Sequence, residues 1–100
     1  MLQKAVAAGS TDAFPLYGLA MEHKRLGQLD QASTCFDRLM SEHPEYQATY
    51  LMAGRHWMAT GESERASVAL KRGIELAERT GAGQALDELR DALDELDGDA

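Results

Sequence analysis

Apolar residues recur at helical spacing in five runs along this 100-residue chain, each closed by a residue that stops a helix. Between Asp12 and Leu26 the positions Leu16, Leu19, Ala20 and His23 follow i, i+3, i+4, i+7, and Gly27 ends the run. Ala32, Cys35, Phe36, Leu39 and Met40 make the next stripe. Pro44 closes it, because proline disfavours helical geometry at His43 and has no N–H to continue the ladder. A third run places Tyr50, Ala53, Gly54 and Trp57 on one face and stops at Gly61. The fourth carries Ala66, Ala69, Leu70, Gly73, Ile74 and Ala77 up to a break at residues 80–83. Leu86, Leu89, Leu93 and Leu96 then form a narrow stripe on a helix whose other faces hold Asp87, Glu88, Arg90, Asp91, Asp94 and Glu95. The pattern predicts an all-helical chain whose last helix is wet on most sides.

Shifting the chain by 34 residues lays the third and fourth helices on the first and second. Gly27 then meets Gly61, Ala32 meets Ala66, and Ser33 and Arg38 recur at Ser67 and Arg72. Size classes persist where identities do not: Phe36 falls on Leu70, Met40 on Ile74 and Ala20 on Gly54. A period of this length belongs to helix-turn-helix repeats. Small residues, Ala20 and Ala32 in one pair and Gly54 and Ala66 in the other, stand where antiparallel helices should approach closely. Each pair must bury its outer apolar face on the next, so the last pair needs a helix apolar on one side only, which the stripe from Leu86 to Leu96 supplies. Leu2, Ala5 and Val6 before Gly9 have the spacing of the last turns of a helix. Residues 1–9 are therefore expected to be a short N-terminal cap or the remnant of a longer array.

These residues resemble the tetratricopeptide repeat family. Its pattern of a bulky residue, Leu and a small residue, an aromatic, then Ala, Phe and Pro is met by Leu16, Leu19, Ala20, His23, Ala32, Phe36 and Pro44, with His23 out of type. The second copy has Tyr50, Ala53, Gly54, Trp57, Ala66 and Leu70; Gly73 stands where a small contact residue is expected, and the terminal proline is missing. The resemblance covers residues 12–80. It implies an all-α fold of antiparallel helix-turn-helix repeats stacked as a short right-handed α-solenoid, in a small bacterial-type two-repeat protein with a C-terminal capping helix. On that basis residues 1–100 form a single domain, with repeats at 12–44 and 46–80 and the cap at 83–97, which fits if the second repeat is lengthened by two residues.

Composition narrows the function. Hydrophobic residues at 44% and charged residues at 27% match an ordinary folded domain, so disorder and fibrous classes are disfavoured. The single cysteine, Cys35, cannot form a disulfide within the chain, and no sustained apolar run follows Met1, so a cytoplasmic setting is expected. Of the net charge of −7, residues 81–100 contribute −6, from 1 basic and 7 acidic side chains, while residues 1–80 hold 9 basic against 10 acidic. An acidic chain without a dense Lys/Arg stripe suits neither nucleic acid nor an anionic membrane. The acidic last helix is most simply a solvated face. His23, His43 and His56 have no His or Cys at ligand spacing, and Cys35 lies on an apolar stripe where a buried thiol is inert. No glycine-rich phosphate loop is present, and nothing apolar surrounds the last helix's carboxylates to prepare one for acid catalysis. No catalytic residue, metal ligand or cofactor is expected, and the chain is not expected to be an enzyme.

The informative residues lie off the packing stripes. In repeats of the resembling family the first helix of each pair lines a concave groove. The positions carried over by phase are Phe14, Tyr17, Met21 and Lys24 in one copy, and Leu51, Arg55 and Met58 in the other. The first four follow i, i+3, i+7, i+10, a line rotated from the buried stripe, and the other three follow i, i+4, i+7. Aromatic and Met side chains beside Arg and Lys have the composition of an interface. The expected function is a protein–protein interaction module that binds a peptide or helix of a partner protein in this groove. The alternative is a structural scaffold or homo-oligomer that buries the same surface by self-association. Repeats that clamp the C-terminal carboxylate of heat-shock chaperones carry Lys and Asn where this chain has Tyr17 and Met21, so that subclass is not expected.

Overall fold

A computed structural model describes residues 12–98, which form five helices: α1 (Ala13–Arg25), α2 (Leu29–Glu42), α3 (Ala48–Ala59), α4 (Ser63–Thr80) and α5 (Gly83–Gly98). No strand occurs among the described residues. The helix or remnant expected at residues 1–9 lies outside them. The described residues divide into two compact units, 12–46 and 47–98. Pro15 falls in the first turn of α1, where its missing N–H would have had no helical partner.

The turns that close the helix pairs repeat bond for bond. After α1, the N–H of Leu26 donates to Glu22 O at 3.0 Å, that of Gly27 to Lys24 O at 3.1 Å, and that of Gln28 to His23 O at 2.9 Å. This is a Schellman closure, and it holds Gly27 at φ +75°, where any side chain would be strained. Adding 34 to each number gives the turn after α3. Thr60 donates to His56 at 3.1 Å, Gly61 to Met58 at 3.2 Å and Glu62 to Trp57 at 2.8 Å, with Gly61 at φ +79°. The residues that enter the next helix also agree, Gln28 with ψ 73° and Glu62 with ψ 72°. The period in the sequence is thus a period in hydrogen bonds.

In the first unit Leu16 and Ala20 of α1 are buried together with Ala32, Cys35, Phe36 and Leu39 of α2. Leu19, His23 and Met40, expected on the same stripes, are only half-buried. His23 instead links across the turn, its Nδ1 lying 2.6 Å from Gln28 Oε1. That contact gives a role to the residue that departs from the aromatic pattern.

In the second unit α3 packs against both α4 and α5. Two neighbours cover more than one face, so Thr49 and His56 are buried along with Tyr50, Ala53, Gly54 and Trp57. From α4, Ala66, Ala69, Leu70, Gly73, Leu76 and Ala77 are buried, and from α5, Leu89 and Ala92. Ile74, Leu86, Leu93 and Leu96 are half-buried rather than core. Three helices converge on the backbone of Gly73. A Cβ there would stand 2.5 Å from Tyr50 Cβ on α3 and 2.9 Å from Leu89 Cδ2 on α5, both inside van der Waals contact. The Gly73 carbonyl also accepts a 3.0 Å hydrogen bond from Gln47 Nε2.

Gly73→Ala is expected to destabilise the chain by about 1–3 kcal/mol through overpacking, outweighing the roughly 1 kcal/mol that alanine gains as a helix former. Gly83→Ala, where an added carbon meets nothing within 4 Å, should be neutral or stabilising. Urea unfolding midpoints of the two variants check the opposite signs.

Candidate functional site

The helical period puts Phe14, Tyr17, Met21 and Lys24 on one line along α1, turned away from Leu16 and Ala20. Phe14 is 70% exposed, while Tyr17, Met21 and Lys24 are half-buried. The Tyr17 ring rests against Tyr46, beyond the end of α2, at 5.6 Å between centroids and a tilt of 55°. Such a tilted pair suits the ring quadrupoles and fixes the Tyr17 side chain. Burial pushes the Tyr17 hydroxyl above its ordinary pKa, and Tyr46 adds to the shift, so it stays a neutral donor at physiological pH. Ala13 and Tyr46 also edge a hollow of 410 Å³ with Glu42, His43, Pro44 and Glu45. Tyr46 is thus a neighbour of the α1 row that helical spacing alone does not reach.

On α3, Leu51 and Met58 are half-buried and Arg55 is exposed. Arg55 and Met58 open onto a cleft of 690 Å³, whose other walls are Ala59, Ser63, Glu64 and Ser67, and Glu95, Leu96 and Asp97 of α5. Leu51 lies outside it. The cleft arises because α5 reverses after residues 80–83 and returns its last turn beside the first turn of α4. The periodicity gives no hint of Glu95, Leu96 and Asp97 here. Counting equal numbers of residues to either side of the break is the signal that finds them.

A tethered network holds the turn behind this cleft. Trp57 is 1% exposed, and the Arg65 guanidinium stands over its ring at 4.2 Å from the centroid. Arg65 Nη1 lies 3.2 Å from Glu62 Oε1, and Thr60 Oγ1 donates to Glu62 Oε2 at 2.6 Å. The Thr60 hydroxyl foremost, and then Arg65, hold the Glu62 carboxyl below the usual carboxylate range.

Cys35 is 6% exposed, and burial pushes its thiol up, which lowers the thiolate population a nucleophile needs. Among the described residues no group of three His, Cys, Asp or Glu side chains could hold a metal ion, and no helix is long and apolar enough to cross a membrane.

No family model matches the chain. It is similar to a TPR repeat-containing protein of Pseudomonas aeruginosa, with 28% identity over 96% of this chain and 91% of that protein. The crystal structure of a tetratricopeptide repeat domain protein from Salinibacter ruber is 30% identical and superposes with a TM-score of 0.83, over 89% of this chain and 100% of that one. A solution NMR structure of a tetratricopeptide repeat domain protein from the same organism is 31% identical, with a TM-score of 0.82 over 87% and 88% of the two chains.

The depressed pKa of Glu62 has a definite sign in stability. The folded chain binds fewer protons than the unfolded one, so the contribution is present above about pH 4.3 and is lost as pH falls through the folded value. Glu62→Gln should therefore flatten the fall of the urea midpoint between about pH 6 and about pH 3. An unchanged slope would contradict the Thr60–Glu62–Arg65 tether.

Proposed function

The chain belongs to the tetratricopeptide repeat family, and from that premise we propose that it is a non-catalytic protein-interaction module. Members of that family are generally modules of this kind. It holds a peptide or helix of a partner protein along the outward rows of its first helices: Phe14, Tyr17, Met21 and Lys24 on α1, and Leu51, Arg55 and Met58 on α3. The observation that carries this reading is Phe14, 70% exposed and in line with the half-buried Tyr17 and Met21. Burying a phenylalanine side chain yields about 1.5–3 kcal/mol, so a partner that covers the row gains what folding has left unused. Lys24 and Arg55 make no ion pair among the described residues, so each can donate to a partner's carboxylate or carbonyl and set its orientation.

Self-association through the same surface is the competing reading. Leu26 and Leu29 favour it, since they flank Gly27 at 53% and 46% exposure and widen the apolar area near α1.

Affinity capture with the parent chain, the Tyr17→Ala, Arg55→Glu double variant and a Val68→Ser control on the exposed side of α4 separates the readings. A protein held by the parent and the control but lost from the double variant is the expected result. Equal capture by all three, with sedimentation showing a concentration-dependent dimer, would favour self-association instead.

A further inference from the structure

The cleft of the second unit has a chemistry of its own. Its floor is apolar, with Met58 and Leu96 half-buried beside Ala59. Its rim holds three carboxylates, Glu64, Glu95 and Asp97, against the one guanidinium of Arg55. None of these carboxylates has an ion-pair partner among the described residues. Arg90, the one basic residue of α5, is engaged by Glu78 at 3.1 Å. Among the described residues the three rim carboxylates thus outnumber the one guanidinium and form no ion pair, and low-dielectric walls around a concave site focus the field of that charge. An acidic occupant would meet three like charges for one opposite charge. An occupant wholly without charge would strip water from the carboxylates and return nothing. At 690 Å³ the cleft falls within the about 300–1,000 Å³ typical of ligand sites.

Resting on the reading of the chain as an interaction module, we propose that this cleft takes a basic amphipathic peptide segment. One or two large apolar side chains sit on the floor between Met58 and Leu96, and Lys or Arg side chains reach Glu64, Glu95 and Asp97. The thioether of Met58 adapts to whichever apolar side chain enters. A lysine laid against this floor buries its methylene stem and leaves its ammonium at the rim. The charge of α5, beyond keeping its outer face hydrated, thereby selects the sign of the partner.

A fluorescein-labelled decapeptide of leucine and lysine, and the same peptide with glutamate for lysine, serve as probes in anisotropy titrations at low salt against the whole chain. The lysine peptide should bind at least about tenfold more tightly than the glutamate peptide, and raising the salt should weaken it. Glu95→Lys with Asp97→Lys should cost about tenfold in affinity for the lysine peptide. Asp87→Lys with Glu88→Lys makes the same charge change on α5 outside the cleft and should cost less than about threefold. All four positions are exposed, so both variants should fold, which circular dichroism checks. Preference for the glutamate peptide, no binding of the lysine peptide, or equal losses in the two variants would overturn the proposal. If the lysine peptide fails while capture of a partner still depends on Tyr17, the basic-peptide proposal falls and the interaction module stands.

Discussion

A chain that reverses between two helices within three residues must place its main chain at positive φ, and glycine does so without a Cβ penalty. Here that happens at Gly27 and again at Gly61, with the same three backbone hydrogen bonds at each. The rest of each unit follows from the reversal. It turns the Ala32, Phe36 and Leu39 face of α2 toward Leu16 and Ala20 of α1, and the Ala66 and Leu70 face of α4 toward α3. A helix has one circumference, so committing these stripes inward leaves Phe14 and Tyr17 on one first helix, and Leu51 and Arg55 on the other, on lines away from the partner helix. These rows are the ones that the contact between paired helices leaves only partly covered.

The second unit adds a constraint that the first lacks. Three helices meet at Gly73, where a side chain would press on Tyr50 and Leu89, and α5 is close enough to bury Leu89 and Ala92. The same return carries Glu95, Leu96 and Asp97 to the mouth of the cleft beside Arg55 and Met58. One helix thus supplies apolar cover on one side and a negative rim at its end. Hydrophobic burial is indifferent to charge sign and a charged rim is not, so in the proposed peptide site affinity and selectivity would rest on different residues of the same cleft.

Much of this is legible in the sequence, for physical reasons that differ by residue. Gly27 and Gly61 announce the turns because the positive φ there strains any side chain, and the stripes through Phe36, Trp57 and Leu70 announce the inward faces because helical geometry repeats. What periodicity cannot supply is the width of cover. His56 and Thr49 are buried off the apolar stripe because α3 has two neighbours, while Ile74 and Leu93 are half-buried although they lie on apolar stripes. The α1 row is likewise legible as a line, but its companion Tyr46 depends on where the chain runs after Pro44. The acidic wall of the cleft depends on the return of α5, which periodicity within one helix does not reach and only the count of residues across the break suggests.

The most direct measurement is amide hydrogen exchange, resolved by residue, at the two turns. Gln28 and Glu62 each donate to the carbonyl five residues back, so both amides should exchange far more slowly than in an unstructured peptide, each with the opening of its own helix pair. Fast exchange at Gln28 and Glu62, with the interiors of α2 and α4 still protected, would mean that the helices form without these closures. The glycine-centred reversals would then not be what sets the inward and outward faces.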